Sequence, residues 1–308
     1  MMSPYLRNTV IYHDRFDEVL KQIEQLWQRT LTGDKQILPI AGPTRLGKSA
    51  VIAEYLRTRP STLGSQPVLY IVAPEHHTAR ALPDACLTSI GMNCSMYRNG
   101  SAATSAFLKA IKRLGTKLII FDETQHLLER SGQRTIRGAG DFLKGLLDSS
   151  DVSIVLAGLP ALEGLFSANE QLAGRARSTV RFFPYSWHGQ EYKSFRKALA
   201  GAIEMLGEHG WDMPDAKDAD FAMRMYVATA GCYGLVHKIL CEVEALKTDE
   251  QVAAYGAFAE AYETTIRRRA VTFNPFDADF SIEAEHMAAA YIQVLREAGI
   301  TDRGLAKC

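Results

Sequence analysis

The chain has 308 residues, of which 47% are hydrophobic and 23% charged, an ordinary globular composition that excludes a disordered or collagen-like protein. Its 35 basic and 35 acidic residues cancel, so any contact with nucleic acid must come from a local basic patch. No apolar run approaches the ~18 residues of a membrane span and the first residues lack the apolar core of a secretory signal, which predicts a cytoplasmic protein without membrane contact.

The predicted elements begin with an N-terminal helical segment over residues 1–33, where Phe16, Val19, Ile23 and Leu26 recur at helical spacing. Short β-rich runs then alternate with helical periodicity. We predict strands over residues 36–41, 67–73, 117–122, 152–157 and 178–183, and helices that include 49–58 and 139–150. This alternation is typical of an α/β fold, here with a five-stranded, mostly parallel sheet covered by helices on both faces.

The pattern changes after Pro184. Residues 188–269 contain helical runs and no convincing strand, and one more helix is predicted over residues 281–298. The chain therefore divides into four predicted parts, which are a helical segment (1–33), an α/β core (34–186), a helical domain (187–270) and a C-terminal tail (271–308).

One motif carries specific chemistry. Residues 42–49 read GPTRLGKS, which fits the phosphate-loop (Walker A) pattern GxxxxGK[ST] and lies between a predicted strand and a predicted helix. Its glycines let backbone N–H groups converge on phosphate oxygens, Lys48 can reach the β- and γ-phosphates, and Ser49 can ligate Mg²⁺. We therefore predict that ATP binds here. The predicted contact residues are Gly42, Pro43, Thr44, Arg45, Leu46, Gly47, Lys48, Ser49 and Ala50.

A pair of acids forms the second motif, Walker B. Asp122 and Glu123 directly follow four apolar residues of a predicted buried strand, so they lie at the carboxyl edge of the sheet, where ligands bind in open α/β folds. Asp122 is predicted to hold Mg²⁺ with Ser49, and Glu123 to polarise the attacking water. His126 follows them, but DETQH is not HExxH, and the five cysteines form no CxxC pair, so no zinc site is expected.

Together these residues resemble the AAA+ ATPases, and more narrowly the TniB and TnsC regulators of transposition. The resemblance rests on GPTRLGKS (42–49), DETQHLL (122–128), AGLP (157–160), QLAGRARS (171–178) and NPF (274–276). It implies an AAA+ P-loop core followed by a smaller all-helical lid domain. It also implies that nucleotide lies between subunits and that a neighbour supplies an arginine finger, for which Arg175 and Arg177 are the candidates.

The resemblance further implies an oligomer, as rings or helical filaments, that coats duplex DNA through backbone contacts without sequence specificity. It would link a TniQ-like target selector to a DDE transposase, with ATP hydrolysis driving disassembly. Candidates for the phosphate contacts are Arg80, Lys109, Lys112 and Arg113, whose competing interpretation is a solvated surface.

Two departures from the AAA+ pattern predict a slow, partner-stimulated ATPase. The fourth strand leads into Ala157, Gly158 and Leu159, where a polar sensor residue is expected, and the second sensor could only be His237 or Lys238. Two other functions stay open. One is an ATP-locked scaffold or helicase-loader-like adaptor with little turnover, and the other is a small-molecule P-loop kinase, which the adjacent acids and the helical domain disfavour.

Overall fold

The computed structural model describes residues 5–75, 78, 80–128, 133–215, 217–246, 251–267 and 269–300. The strands are β1 (Ile37–Ala41), β2 (Val68–Val72), β3 (Leu118–Asp122), β4 (Ser153–Gly158) and β5 (Val180–Arg181). The helices are α1 (Asp14–Leu31), α2 (Lys48–Arg57), α3 (Ala81–Ser89), α4 (Gly100–Leu114), α5 (Gln133–Ser149), α6 (Glu163–Ser167), α7 (Glu170–Ala173), α8 (Gly189–Glu208), α9 (Ala219–Thr229), α10 (Tyr233–Ala245), α11 (Tyr255–Thr265) and α12 (Ala284–Glu297). Short 3₁₀ turns cover Leu6–Asn8, Cys94–Met96, Thr124–Leu127 and Pro160–Leu162.

In the described part of the chain, five parallel strands form one sheet in the order β2-β3-β4-β1-β5, which confirms the predicted α/β core. Strand β4 therefore lies between β1 and β3. Ala41 at the end of β1 is opposite Gly158, and Phe121 near the end of β3 is opposite Leu156. The segments that follow β1, β3 and β4 consequently emerge side by side at one edge of the sheet.

The predicted strand 178–183 is shorter than expected, because only Val180–Arg181 pairs as β5. The cause lies in Pro39, in the middle of β1. The backbone groups of alternate residues in a strand point to the same neighbouring strand. Residues 37 and 41 of β1 form backbone hydrogen bonds on the side of β5, so the N–H at position 39 would point to that side as well. Proline has no N–H, and pairing on that side is limited to a bridge at Ile37 and to Ile40 and Ala41.

The core of the sheet domain lies between the strands and the helices of both faces. Strands β1, β3 and β4 are buried along their whole length, as expected for central parallel strands. Helix α4 begins where the Asn99 side chain accepts the N–H of Ala102 and ends at Gly115, whose φ of 68° is left-handed. Its apolar face, with Phe107 and Ile111, is buried in this core.

The chain divides into two compact units. One contains Glu18–Gly42 and Lys48–Phe182, with all five strands of the sheet, and the other contains Met1–Asp17, Pro43–Gly47 and Phe183–Cys308, with helices α8 to α12. The domain limits predicted from the sequence, at 33/34, 186/187 and 270/271, stay predictions. Among the described residues, no helix has the length and apolarity needed to cross a membrane.

A buried arginine organises the end of the helical unit. Arg224, 6% exposed, donates to the backbone carbonyls of Pro275, Asp277 and Phe280 and forms an ion pair with Asp220. Each nitrogen of the buried guanidinium has a hydrogen-bond or ion-pair partner. A buried charge is tolerated in a fold when it is paired in this way. The NPF motif at 274–276 is thus held in place as a structural segment.

The helical unit also buries a histidine. His13 is 7% exposed, and its Nδ1 lies 2.9 Å from the hydroxyl oxygen of Tyr185. Burial, with a smaller contribution from the charge of Arg15, lowers the pKa of His13 from its ordinary 6.5 to about 4, and the charge of Asp14 opposes this shift. The neutral ring is therefore part of the folded state.

We predict that the free energy of unfolding falls by about 2 kcal/mol between pH 7 and pH 5, because the unfolded chain then binds a proton at His13 that the folded chain does not. The stability that the folded state gains from keeping His13 neutral is present above the unfolded pKa of 6.5 and is lost as the pH falls toward the folded pKa of about 4. Chemical denaturation at both pH values measures this change. His13→Asn should flatten the dependence, whereas His188→Asn, at an exposed histidine, should keep the wild-type slope. An unchanged slope in His13→Asn would contradict the assignment.

Candidate nucleotide site

The phosphate loop adopts a conformation with alternating backbone handedness. Arg45 has a φ of 67° and Gly47 a φ of 100°, both in the left-handed region. Successive N–H groups in such a turn converge to form an anion-binding concavity, and helix α2 begins directly after it with its positive end. The main chain around Gly47 therefore has the shape that a phosphate group requires.

Two polar side chains add to the backbone groups of the loop. Lys48 donates from Nζ to the carbonyl oxygen of Gly42 at 2.8 Å, which places its ammonium group over the loop. Ser49 donates from Oγ to Oδ2 of Asp122 at 3.0 Å. Two adjacent oxygen ligands of an octahedral Mg²⁺, each at 2.0–2.1 Å from the metal, lie about 3 Å from each other. The separation of the Ser49 and Asp122 oxygens therefore fits the predicted metal.

Tyr70 is a neighbour of Asp122 that the sequence did not reveal. Its hydroxyl donates to Oδ2 of Asp122 at 3.1 Å, and burial together with the acid raises the pKa of Tyr70 to about 12. The phenol therefore stays protonated and acts as a donor. The signal was present but weak, since Tyr70 is the one polar side chain in the strand VLYIV, and its contact depends on the register of β2 with β3.

Glu123 has an unusual backbone and a specific side-chain partner. Its φ of 55° and ψ of 35° are left-handed, and its N–H donates to Oδ1 of Asp122 at 2.9 Å. Nε2 of Gln125 donates to its carboxylate, while Oε1 of Gln125 accepts the N–H of Leu159 at 3.1 Å. The acid predicted to polarise water is thus connected to the end of β4.

The family model described as Bacterial TniB protein matches residues 5–182, more than half of the chain. The chain belongs to the TniB family. The match covers the whole sheet, the phosphate loop and both acids. No curated protein matches this TniB-family chain.

Solved structures confirm the AAA+ fold of the TniB-family chain. Cdc6p of Pyrobaculum aerophilum superposes with a TM-score of 0.61 at 11% identity, covering 97% of this chain and 90% of its own. The ORC2 protein of Aeropyrum pernix, in ADPNP-ADP complexes, gives 0.57 at 12% identity over 82% of this chain and 68% of its own. A Walker-type ATPase of Pyrococcus abyssi gives 0.56 at 17% identity, with 82% and 71% covered.

The two candidate finger arginines lie at the opposite edge of the sheet from the chain's own phosphate loop. The carbonyl of Arg175 and the N–H of Arg177 both bond to Ile37, the first residue of β1, whereas Gly42 follows its last residue. Five residues of strand separate the two ends by about 16 Å, which is farther than an arginine side chain reaches. An arginine finger at either position is therefore expected to act on the phosphate loop of another subunit.

The two arginines differ in their partners. Arg175 forms an ion pair with Asp148 at 2.7 Å. Among the described residues, the guanidinium of Arg177 donates only to the neutral amides of Gln22 and Gln25, at 3.3 and 3.5 Å, and its Nη1 is buried with no hydrogen-bond partner. The guanidinium of Arg177 is therefore the less satisfied of the two.

The candidate DNA-contacting residues also separate into two kinds. Lys109, Lys112 and Arg113 are exposed on α4, on the side away from its buried face. Arg80 instead forms an ion pair with Asp84 and donates to the carbonyl oxygen of Cys94 at 2.6 Å. The structure thus leaves the three α4 cations available and gives Arg80 a role in holding the segment after α3.

Within the unit that contains α10 and residues 43–47, Gly234 packs against the phosphate loop, a contact that no sequence motif indicates. A Cβ on Gly234, in the first turn of α10, would lie 2.4 Å from the carbonyl oxygen of Arg45, so no larger residue fits. The two sensor candidates have other partners. His237 lies 2.9 Å from the carbonyl oxygen of Leu6, and Lys238 donates to that of Thr265 at 2.9 Å.

We predict that Gly47→Ala weakens the binding of MgATP about tenfold. The added Cβ meets no atom of the chain within 4 Å, and the expected cause is conformational, because an L residue resists a φ of 100° by about 1–2 kcal/mol. Arg45→Gly is the matched control, since it relieves a left-handed backbone, and it should bind MgATP within about threefold of wild type. Titration with a fluorescent ATP analogue tests both, and unimpaired binding by Gly47→Ala would contradict the interpretation.

Proposed function

We propose that this TniB-family protein is an ATPase that uses Mg²⁺ and acts as a DNA-bound regulator of transposition. The observation that carries the proposal is the meeting of three elements at one edge of the sheet. The preformed phosphate loop, the Ser49–Asp122 oxygen pair and the carboxylate of Glu123 follow β1 and β3, the two neighbours of β4.

The reaction converts ATP and water to ADP and phosphate. Backbone N–H groups of the loop and the ammonium of Lys48 bind the phosphate oxygens and offset the charge that develops on them. Mg²⁺ held by Ser49 and Asp122 would neutralise further phosphate charge. The carboxylate of Glu123 accepts a proton from the water whose oxygen attacks the γ-phosphorus, and the bond to the ADP oxygen breaks.

The arginine that completes the reaction comes from a neighbouring copy of the chain. Both candidates bond to the first residue of β1, about 16 Å along the strand from the start of the loop, which supports an oligomer with nucleotide at the interface. We assign the finger to Arg177 in preference to Arg175. Arg177 gives up only long bonds to neutral amides when it moves to a phosphate, whereas Arg175 must leave Asp148.

Duplex DNA is the proposed partner of the exposed face of α4. Lys109, Lys112 and Arg113 lie close together there, and a chain of zero net charge needs such a local patch to bind a phosphate backbone. Contacts to phosphate carry no sequence information, so the binding is expected to be independent of sequence. Arg80 is the weaker candidate because Asp84 already neutralises it.

Family membership supports the wider role. The proposed oligomer forms rings or helical filaments on DNA when ATP binds, connects a TniQ-like target selector to a DDE transposase, and disassembles when ATP is hydrolysed. An ATP-locked scaffold with little turnover is the second candidate. It is favoured by one observation, which is that β4 ends in Ala157 and Gly158 without a polar side chain.

We predict that Lys48→Ala abolishes ATP-dependent assembly on DNA and weakens ATP binding about 100-fold, because a charged donor to the phosphates is lost. Glu123→Gln should bind ATP normally, lose turnover about 100-fold or more, and accumulate as stable assemblies. Sedimentation and electron microscopy with duplex DNA, together with phosphate release, distinguish these outcomes. The control is Lys197→Ala, an exposed lysine on α8. Normal assembly by Lys48→Ala would refute the proposal.

A second prediction concerns the finger. Arg177→Ala should lower turnover about 1,000-fold with ATP affinity retained, as expected for a residue that acts in trans, whereas Arg175→Ala should lose little. An equimolar mixture of Arg177→Ala and Glu123→Gln should regain part of the activity, because some interfaces then combine an intact acid with an intact arginine. Failure of the mixture to regain turnover, or a greater loss in Arg175→Ala, would place the finger elsewhere.

A further inference from the structure

Gln125 is buried between two groups of opposite hydrogen-bonding character. It is 4% exposed, its Nε2 donates to the carboxylate of Glu123, and its Oε1 accepts the N–H of Leu159. A carboxylate can only accept and a backbone N–H can only donate, so the partner between them must present one donor and one acceptor. A side-chain amide is the group that satisfies both at once.

The hydrogen bond to Leu159 continues to the phosphate loop. Leu159 N–H and the carbonyl of Gly158 belong to the same peptide unit, and that carbonyl accepts the N–H of Gly42 at 3.0 Å. The peptide is planar and rigid. A continuous series of three hydrogen bonds therefore runs from Gly42, the first residue of the loop, through this peptide unit and Gln125 to the carboxylate of Glu123.

Two further features show that this connection is tightly packed. A Cβ on Gly158 would lie 2.6 Å from Oγ1 of Thr124 and 2.8 Å from Oε1 of Gln125, so the approach requires glycine. Glu123 keeps a left-handed backbone, which a non-glycine residue adopts only when its surroundings hold it there. The carboxylate of Glu123 is thus connected to the end of β4 through the side chain of Gln125.

We propose that Gln125 is a positioning residue for ATP hydrolysis, which orients the carboxylate of Glu123 and couples that orientation to the phosphate loop through the Gly158–Leu159 peptide. The end of β4 has no polar side chain, and the side-chain amide of Gln125, in the turn after β3, provides a polar group at this place. The three hydrogen bonds connect the backbone position of Gly42 to the orientation of the acid. This inference rests on the proposed ATPase activity.

The test uses two substitutions of similar size. Gln125→Met removes both hydrogen bonds and should lower kcat about 10- to 100-fold, with the Kd of MgATP within about threefold of wild type. Gln125→Glu places a second carboxylate against Glu123. This variant keeps an acceptor for the N–H of Leu159 but loses the donor to Glu123, so its kcat should fall as far as that of Gln125→Met while the Kd of MgATP stays within about threefold of wild type.

Thr124→Val is the matched control. Thr124 Oγ1 donates to the carbonyl oxygen of Ala157 at 2.9 Å, so this variant also removes a hydrogen bond between the turn and β4, but one in which the carboxylate of Glu123 takes no part. Its thermal midpoint should fall while its kcat stays near wild type. Adding Gln125→Met to Glu123→Gln should cause no further loss of kcat, since Gln125 acts through the acid.

The possible results either support or overturn the assigned role of Gln125. A kcat loss in Gln125→Met with retained affinity, an active Thr124→Val and non-additivity with Glu123→Gln support the proposal. Normal turnover in Gln125→Met, or an equal loss in Thr124→Val, overturns it while leaving the ATPase assignment intact. A wild-type protein that binds MgATP but hydrolyses none, with Glu123→Gln indistinguishable from it, would overturn the proposed activity itself.

Discussion

The peptide unit between Gly158 and Leu159 is the constraint on which the proposed site depends. It lies at the end of β4, between the two strands that lead to the phosphate loop and to the acids. Its carbonyl accepts from Gly42 and its N–H donates toward Gln125. Because a planar peptide has one acceptor and one donor on opposite sides, it can join both neighbours only from the central position.

Two residues at this edge of the sheet have unfavourable backbone conformations. Arg45 and Glu123 are left-handed without being glycine, at roughly 1–2 kcal/mol each. Such conformations persist where packing and hydrogen bonds impose them, and they often mark functional sites. Here the contact of Gly234 with the carbonyl of Arg45 and the bonds around Glu123 provide that restraint. In the proposed mechanism, such restraint would reduce the reorganisation needed for catalysis.

The opposite edge of the sheet explains why a single subunit is incomplete in the proposed mechanism. Arg177 is bonded to the first residue of β1, and the loop follows the last, so the length of the strand itself separates arginine from phosphate. A second copy of the chain must then provide the missing charge. The exposed cations of α4 are a separate local feature, which lets a chain without net charge approach a polyanion.

The sequence by itself determined the local chemistry. The strand limits follow from runs of apolar residues, and four of the five predicted strands agree with the structure to within one residue. The GPTRLGKS pattern and the acids at 122 and 123 require particular residue types at fixed spacing, and the nucleotide site that they indicate stays a prediction. The length of the strand predicted over residues 178–183 was too great, because only Val180–Arg181 pairs with β1. The effect of Pro39 on this pairing depends on which neighbouring strand faces each residue of β1, and the sequence does not show this.

Only the tertiary structure decided which side chains meet. The contacts of Gln125 with Leu159, of Tyr70 with Asp122 and of Gly234 with Arg45 join residues 34, 52 and 189 positions apart in the sequence. They depend on strand order and register, which a single sequence does not encode in any local pattern. Composition and spacing therefore identify the phosphate loop and its acids, whereas their coupling through β4 arises from the order of strands in the folded sheet.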